Sequence, residues 1–328
     1  ARRIRSSLVQ LSPSNLKVAR DRGGQVFLPF FFIGILNNAV SDNHIRHRKT
    51  MGKIIWLASY PKSGNTWTRT FINNLLLDPD EPVDINILSD LTPGDARKSW
   101  YEKAAGTPYH HLSMGQVVSL RPKVHHLIAG LQEDKVFVKT HSLYGQLHGV
   151  PLITMDCTAG AIYVIRNPLD VVVSVASHFG LAIEGAIQLM SDPNAFLDEV
   201  PTLGSIRQHF GSWSGHANSW THFDREKMHV MRYEDMQDKP EETFSNMVKF
   251  LGLDLPEERI AKAIEFSSFD VARKQEDEKG FKEQSAKNNK FFRVGKVGQW
   301  RDTLSDAQID QIINTHQVTM KYFGYLPD

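Results

Sequence analysis

A short polar turn, Tyr60–Asn65, carries residue types well suited to binding an anion. Within the turn, Lys62 offers a cation, Ser63 a hydroxyl group and Asn65 an amide group. Thr66, directly after the turn, offers a second hydroxyl group. The apolar run Lys53–Ser59 before the turn is typical of a buried parallel strand, and Thr66–Leu77 after it has helical spacing. A helix start presents unpaired backbone N–H groups at the positive end of its dipole. The sequence therefore predicts a loop that binds phosphate or sulfate.

Two other segments combine cations with positions suited to a ligand. Phe137–His141 is an apolar strand that ends in Lys139 and His141. Because a histidine has a pKa near the range that a general base needs, His141 is a candidate base. Near the C-terminus, Phe291–Trp300 places Arg293 among glycines that allow close backbone approach to an anion.

The segment Ala161–Ser174 runs from a second apolar strand into a helix. Arg166 stands where the strand stops, Asn167 is a good N-cap, and Pro168 suits the first helical position. Ser174 follows about two turns later. Arg166 and Ser174 are therefore expected to share one phosphate.

In chain order, these motifs resemble those of the sulfotransferases that use 3′-phosphoadenosine 5′-phosphosulfate (PAPS). YPKSGNTW at Tyr60–Trp67 is similar to the family's 5′-phosphosulfate loop, with Asn65 where the common form has threonine. The turn differs from the Walker A loop, G-x-x-x-x-G-K-[ST], because Lys62 precedes Gly64 and the loop is shorter. The resemblance extends over residues 53 to about 302, and four ordered motifs are much more specific than one.

The resemblance implies a nucleotide site residue by residue. The 5′-phosphosulfate is expected on Lys62, Ser63, Gly64, Asn65, Thr66 and Trp67. The 3′-phosphate is expected on Arg166, Ser174 and Arg293, assisted by the backbone around Phe292, Val294 and Gly295. Adenine is expected beside Tyr233, Ser267 and Phe269 together with Trp67, since aromatic faces suit a flat base. PAPS is then the co-substrate, and 3′-phosphoadenosine 5′-phosphate (PAP) is the product.

The chain departs from the family pattern in its C-terminal glycine-rich loop. Gln299 stands where many members have aspartate, and Val294 replaces a common lysine. One cation toward the 3′-phosphate is therefore missing, and the nucleotide is expected to bind somewhat less tightly. The short lysine-threonine-valine-glutamate dimer motif of many cytosolic animal members has no match, so the oligomeric state stays open.

The charges also predict a mechanism. Sulfuryl transfer should resemble loose phosphoryl transfer, which needs alignment and cations over developing charge. Lys62 is assigned to the bridging oxygen of the leaving group and Lys139 to the sulfuryl oxygens. His141 would take the proton from an acceptor hydroxyl or amine that attacks in line. No metal is implied, because the lysines replace the magnesium of a kinase.

The paired histidines do not change that expectation. His110–His111 and His125–His126 lack the i, i+4 spacing of helical metal ligands, and cysteine partners are missing. Surface or core positions are expected for them.

Two other function classes stay open from the residues alone. A P-loop kinase or NTPase would share the strand–loop–helix cradle, but the chain has no Walker A loop and no convincing acidic magnesium site. A non-catalytic nucleotide-binding scaffold would keep the aromatic and arginine contacts without the base, whereas this chain has both Lys62 and His141. Turnover with PAPS and not with ATP and magnesium, across an acceptor panel, separates the three classes.

Composition adds limits on partners and location. A chain of 328 residues can form one large α/β domain, or at most two, and a formal net charge of +1 argues against a nucleic-acid or anionic-membrane surface. Cys157 is the only cysteine. It can form no intrachain disulfide, which predicts a reducing, cytoplasmic location.

The first fifty residues have a different character. Phe27–Leu36 is apolar but far shorter than the ~20 residues that span a bilayer, so no membrane span is predicted. The basic region before it is too long and too remote for a signal peptide. Met51 is a candidate initiator, so we predict an added or upstream extension over 1–50 and a sulfotransferase domain over 51–328. The apolar run is expected to pack on that domain, since its exposure would promote aggregation.

The alternation of predicted elements gives the fold class. Apolar strands, including Met228–Arg232, alternate with amphipathic helices such as Pro240–Leu251, Glu257–Phe266 and Ser305–Tyr322, the last of which begins with a capping box. This pattern favours a single α/β domain with a mostly parallel central sheet flanked by helices and a site at its carboxyl edge. Asp78–Pro93 is predicted to be a loop.

Three segments are candidates for the acceptor side of the site. Residues 272–289 are highly charged, which favours a solvated or disordered connector over the alternative, a lid above nucleotide and acceptor. Leu88–Gly130 and Phe179–Gly215 are expected to shape the acceptor pocket. Their aromatic residues favour a small, partly apolar acceptor, with ordinary core packing as the alternative for each: Trp100, Tyr101, Tyr109, Phe179, Phe196 and Phe210.

Overall fold

The computed structural model describes residues 19–20, 26–27, 52–198, 204–284 and 290–327. The chain divides into two units, Ala1–Arg46 and His47–Asp328. In the first unit, the short strands β1 (Ala19–Arg20) and β2 (Val26–Phe27) pair antiparallel. The expectations for residues 28–36 and for Met51 fall outside the described residues. The boundary after residue 50 stays a prediction.

The second unit is built around a parallel sheet. Its strands are β3 (Lys53–Ser59), β4 (Lys135–Thr140), β5 (Gln146–Leu147), β6 (Val150–Pro151), β7 (Thr158–Ile165), β8 (Phe196–Leu197), β9 (Gln208–His209) and β10 (Met228–Arg232). The central sheet has the order β10-β7-β3-β4, and all of its pairs are parallel. The predicted mostly parallel sheet is confirmed.

Helices flank this sheet. They are α1 (Asn65–Leu77), α2 (Leu88–Leu91), α3 (Lys98–Ala105), α4 (Met114–Ala129), α5 (Pro168–Phe179), α6 (Ile183–Ser191), α7 (Trp213–Thr221), α8 (Tyr233–Asp238), α9 (Pro240–Phe250), α10 (Glu257–Phe266), α11 (Phe269–Lys279) and α12 (Asp306–Tyr322). The predicted helices near residues 240, 257 and 306 are confirmed, as is the capping box of α12. In the described part of the chain, no single helix is long and apolar enough to cross a bilayer. Within the same described residues, α5 and α6 taken together pass that test by length and composition, across a bend of 113°.

Strand β3 shows why the sheet is covered on both faces. Trp56 and Ala58 pack in one apolar layer, while the alternating residues Ile55 and Leu57 pack in the other. Successive side chains of a strand point to opposite faces, so a strand buried on both sides is a continuous apolar run. The sequence of β3 therefore fixes its central place in the sheet.

The strand register aligns the carboxyl ends at one edge. Ala58 of β3 lies beside Thr140 of β4, and Ser59 lies beside Val164 of β7. The loop before α1, the residues after β4 and the turn before α5 therefore leave the sheet at the same level. This edge is the place where open α/β sheets bind ligands.

Residues 78–93 are more ordered than predicted. They contain a 3-10 turn, Ile85–Ile87, followed by α2. The side chain of Asp84 accepts a hydrogen bond from Asn86 N at 2.8 Å and so starts the turn. The loop prediction is wrong for this part, because a local aspartate cap outweighs the richness in Asp and Pro.

The connector interpretation of residues 272–289 is also wrong over much of its length. Residues up to Lys279 lie in α11, which buries Ala272 and Glu276 and ends at Gly280, with φ at +70°. Gln275 Oε1 accepts a hydrogen bond from Ile85 N at 2.9 Å. One face of the helix, including Glu276, is thus docked, while most of its charged side chains face solvent. Residues 285–289 lie outside the described part.

Candidate active site

A cavity of about 600 Å³ lies along the carboxyl edge of the sheet. Nearly all the residues that the sequence predicted for the site line it: Lys62, Gly64, Asn65, Thr66, Trp67, Lys139, His141, Arg166, Ser174, Tyr233, Ser267, Phe269, Phe292, Arg293, Val294 and Gly295. The exception is Ser63, whose side chain is buried beneath the loop. Residues distant in sequence thus meet around one space.

The loop between β3 and α1 is shaped by backbone conformation. Lys62 has φ of +66° and Gly64 has φ of +107°. A Cβ on Gly64 would lie 2.8 Å from Cδ2 of Tyr233, so only glycine fits there. Asn65 Nδ2 donates to Leu57 O at 2.9 Å and ties the loop back to β3. No side chain caps α1, so its first N–H groups remain free for an anion.

Two buried hydrogen-bond donors on residues that line the cavity beside this loop have no partner among the described residues. They are Trp67 Nε1 and Arg166 Nε. Buried polar groups are normally paired, and leaving one unpaired costs about 1–3 kcal/mol. The donors therefore fit a ligand rich in acceptor oxygens, such as a phosphate or sulfate ester.

Arg166 connects three parts of the cavity wall. Its guanidinium group lies 4.2 Å above the ring of Tyr233, which begins α8. It also donates to Lys62 O and to Lys296 O, each at 3.2 Å. Because these contacts hold the side chain at the end of β7, its charge is placed between the first loop and the C-terminal loop.

The C-terminal loop is held against α5 by one carboxylate. Asp170 accepts hydrogen bonds from Gly298 N at 2.7 Å and from Trp300 N at 3.2 Å. Gly295 has φ of +65°, and a Cβ there would lie 2.3 Å from the ring of Phe269. This glycine therefore lets the loop approach the aromatic end of the cavity closely.

Gln299 contacts Arg293 of this loop through its side-chain amide. Its Oε1 accepts a hydrogen bond from Arg293 Nη2 at 3.2 Å, and its Nε2 donates to Lys296 O at 2.8 Å. The amide thus orients Arg293 without neutralising it. Arg293 and the half-buried Ser174 line the same cavity.

Aromatic rings form the other end of the space. The rings of Trp67 and Tyr233 meet edge to face, with centroids 5.8 Å apart. Tyr233 OH donates to Gly295 O at 3.3 Å, and Phe269 and Ser267 complete the wall. A flat heteroaromatic group suits this arrangement.

The position of His141 fixes its tautomer. Its Nδ1 lies 2.8 Å from Ser59 O, and a carbonyl can only accept, so Nδ1 carries the hydrogen. Nε2 is then the acceptor of the ring. Burial, with Lys139 adding repulsion, holds the pKa of His141 well below its usual value. The imidazole is therefore neutral at physiological pH, as a general base must be.

The backbone of His141 is anchored separately from its ring. His216 Nε2 lies 3.2 Å from His141 O, and His216 Nδ1 lies 2.9 Å from Tyr163 OH. The hydrogen bond to His141 O requires the hydrogen on Nε2 of His216, so the Tyr163 hydroxyl donates to Nδ1. This buried chain of hydrogen bonds connects β7 with the residue that follows β4.

Lys62 and Lys139, two of the lysines that line the cavity, are desolvated. Burial, with repulsion from Arg166 and Lys139, lowers the pKa of Lys62 to about 7. Burial likewise lowers the pKa of Lys139. Lys62 Nζ lies 3.7 Å above the ring of Phe291, which compensates part of the lost hydration. An anion in the cavity would stabilise the charged form of both.

Sequence reasoning missed a carboxylate in the cavity wall. Glu283 lies 2.9 Å from Arg69 and 3.4 Å from Lys139. Arg69 is fully buried in α1, where polar side chains such as Thr68 and Asn73 are buried as well, so the helix pattern gave no signal for it. The charged segment around Glu283 also gave no signal. His178, also missed, lines the cavity as well.

The aromatic residues predicted for the acceptor pocket mostly lie elsewhere. Tyr101 and Phe210 are buried in the core, Trp100 and Tyr109 pack against it, and Phe196 is exposed. Only Phe179 of this set lines the cavity. The two predicted ranges do contribute to the wall, through Ser89, Asp90, Gly94, Ala96, Arg97, Phe179, Leu197, Asp198, Ser205 and Gln208. That wall combines polar and apolar side chains, because most of the predicted aromatic rings pack in or against the core instead.

The paired histidines lie outside the cavity. His110 and His111 are exposed, and buried His125 contacts Thr154 Oγ1 at 2.7 Å. Among the described residues, His126 forms a cluster of potential metal ligands with Asp156 and Cys157, whose ligand atoms all lie within 4.8 Å of one another. These residues do not line the cavity described above.

The chain is similar in sequence to known proteins. The sulfotransferase domain family matches residues 53–324. Sulfotransferase 1 family member D1 of Mus musculus is 26% identical over 266 residues, covering 78% of this chain and 80% of that protein.

Two solved structures share the fold. Mouse sulfotransferase SULT7A1, complexed with PAP, has a TM-score of 0.54 at 19% identity and covers 84% of this chain and 86% of its own. Retinol dehydratase, in complex with androsterone and the inactive cofactor PAP, has a TM-score of 0.56 at 20% identity and covers 84% of this chain and 82% of its own.

Proposed function

The chain belongs to the sulfotransferase family, and we propose that it transfers the sulfuryl group of PAPS to a hydroxyl or amine of a small-molecule acceptor. The observation that carries this proposal is the meeting of the Lys62 loop, Arg166, the Tyr233 ring and the Lys139–His141 strand end around one cavity. A shared fold alone would not support the activity, because function depends on the site.

The cavity offers a place for each part of the nucleotide. The Lys62 loop, with the first N–H groups of α1, would hold the 5′-phosphosulfate. Arg166, Ser174 and Arg293 would hold the 3′-phosphate, and the rings of Trp67 and Tyr233 would hold the adenine. The unpaired buried donors of Trp67 and Arg166, which line the cavity, support this fit.

The residues of the chain can assist each charge change of the transfer. When bound, PAPS supplies an activated sulfuryl group. As the new bond to sulfur forms and the bond to the phosphate oxygen breaks, Lys62 would stabilise charge on the departing oxygen. Lys139 would neutralise the sulfuryl oxygens. His141 Nε2 would accept the acceptor's proton, which fits its neutral state and fixed tautomer.

Other properties follow as parts of the same proposal. The cations of the cavity would perform the charge stabilisation that magnesium provides in kinases, so no metal is required. The wall of the cavity that contains His141 combines apolar groups such as Phe179 and Leu197 with polar ones such as Gln208, which favours a partly apolar acceptor. A cytoplasmic location, without nucleic-acid partners, stays a prediction from the single cysteine and the balanced charge.

The 3′-phosphate assignment predicts a strong preference of the protein for PAP over AMP. Charge-assisted hydrogen bonds contribute about 1.5–3 kcal/mol each, so calorimetric titration should show at least a tenfold difference in Kd. Arg293→Gln should reduce the preference while leaving AMP affinity nearly unchanged. Arg301→Gln is the matched control, because Arg301 packs on Trp300 and does not line the cavity. Equal affinities of wild type for the two nucleotides would contradict the assignment.

The lowered pKa of Lys62, about 7, predicts proton uptake on nucleotide binding. The 5′-phosphate favours the charged lysine, so PAP binding above pH 7 should take up a proton, and PAP affinity should fall as pH rises. Calorimetry at pH 8 in two buffers of different ionisation enthalpy measures this uptake. Lys62→Met should reduce it, and the exposed control Lys249→Met should not. Identical uptake in Lys62→Met and wild type would remove Lys62 from the anion site.

The assignment of His141 predicts that turnover and binding separate. His141→Ala should lower kcat by about 10²- to 10⁴-fold, as loss of a general base typically does, with PAP affinity and melting temperature largely retained. Because the pKa of His141 is lowered, the acidic limb of the wild-type kcat/KM profile should lie below pH 6.5. That limb should vanish in the variant, since activity is lost only as the base becomes protonated.

An exposed histidine supplies the control for this experiment. His222, after α7, does not line the cavity, so His222→Ala should match wild type in all three measurements. Retained turnover in His141→Ala refutes the general base. Loss of PAP affinity together with a lower melting temperature shows that the ring only supports the strand end.

A further inference from the structure

Glu283 is a buried carboxylate shared by two cations. Its two oxygens each lie 2.9 Å from Arg69 Nη1, and one of them lies 3.4 Å from Lys139 Nζ. Ser89 Oγ donates to Glu283 at 2.9 Å. Only 17% of the Glu283 side chain is exposed. The carboxylate therefore lies between a structural arginine and the lysine that the proposed mechanism assigns to the sulfuryl oxygens.

Arg69 fixes the position of this carboxylate. Its side chain is fully buried in α1, and its Nε donates to Thr92 Oγ1 at 3.0 Å. The guanidinium group also donates to Ser89 Oγ at 3.2 Å. Because Thr92 and Ser89 hold it in place, Arg69 determines where the Glu283 carboxylate lies. The arginine thus holds the Glu283 carboxylate beside the Lys139 ammonium group.

The segment carrying Glu283 is docked on the same side. Lys282 N donates to Asn86 Oδ1 at 2.8 Å, and Asn86 Nδ2 donates to Gly280 O at 3.0 Å. Phe281 packs with Ile85 in a small apolar cluster. These contacts hold residues 280–284 as one wall of the cavity.

Lys139 needs such a partner. Burial lowers its pKa, and repulsion from Arg69 lowers it further, whereas Glu283 and Asp95 favour the charged form. Lys62, His141 and His178 also interact with it electrostatically. Glu283 itself stays ionised: burial would raise its pKa, but Arg69 and Lys139 outweigh burial and hold that pKa far below the usual value.

We propose that Glu283 is a positioning residue for sulfuryl transfer, whose carboxylate, fixed by Arg69, holds the Lys139 ammonium group in place and in its charged form. This inference rests on the proposed function of Lys139. It gives the described part of the charged 272–289 segment, which ends at residue 284, a role in the reaction in addition to its contribution to the cavity wall. Together, Arg69, Glu283 and Lys139 keep one net positive charge beside the reacting group.

The central test compares Glu283→Gln with wild type. Glutamine keeps the shape and can still accept from Arg69 but removes the charge. Competitive labelling of Lys139 with acetic anhydride across pH, read by mass spectrometry, should show its pKa lowered by about one unit or more. In PAPS assays kcat should fall about tenfold or more, while Kd for PAP, which lacks the sulfuryl group, should stay within about threefold.

Two further variants separate charge from position. Glu283→Asp keeps the charge but shortens the reach, so kcat should fall while the Lys139 pKa stays closer to that of wild type. In a Lys139→Ala background, Glu283→Gln should add little to the loss of kcat. The matched control is Asp277→Asn. Asp277 lies on α11, and its exposed carboxylate is 2.8 Å from Lys290, so its removal should change none of these quantities.

An unchanged Lys139 pKa in Glu283→Gln overturns the inference, as does unchanged kcat. A kcat loss that persists in full in the Lys139→Ala background, or that accompanies loss of PAP affinity and melting temperature, shows a role in holding the wall alone. If the proposed function fails instead, wild type shows no turnover with PAPS, yet labelling still reports whether Glu283 controls Lys139. The two failures are therefore distinguishable.

Discussion

The crowding of cations at one desolvated sheet edge is the constraint on which the site depends. Lys62, Lys139 and Arg166 approach the same cavity, and burial alone would drive the lysines toward their neutral forms. The fold offsets this cost with weak or shared partners: an aromatic ring under Lys62, another under Arg166, and a carboxylate beside Lys139. None of these neutralises the cavity completely. The arrangement therefore favours a ligand with several negative charges.

The parts of this site that could be predicted are local ones. A strand, a turn with Lys62 and Gly64, and a helix lie next to one another in the chain, and so do Arg166, Asn167 and the start of α5. The rule that parallel strands share a carboxyl edge then brought the separate motifs together. In the structure Asn167 caps α5 by accepting from Leu169 N at 3.0 Å, as the sequence indicated.

The parts that could not be predicted depend on long-range pairing. Arg69 and Glu283 are 214 residues apart, and no periodicity connects them. The charge of the 272–289 segment suggested solvation, but a helix can bury one face and leave most of its charges outside, as α11 does with Glu276 as an exception. Aromatic composition also misled the prediction of the acceptor wall, because Tyr101 and Phe210 satisfy core packing instead. Composition does not show which face of an element a ring occupies.

The central claim is that the chain's own cations and His141 carry out sulfuryl transfer from PAPS. Transfer of ³⁵S from labelled PAPS to a panel of hydroxyl and amine acceptors, measured with excess EDTA, tests it most directly. The account predicts labelled acceptor and an equal amount of PAP, with no requirement for a divalent metal and no transfer from ATP with magnesium. Label found only in inorganic sulfate, or transfer that stops when EDTA is added, would contradict it.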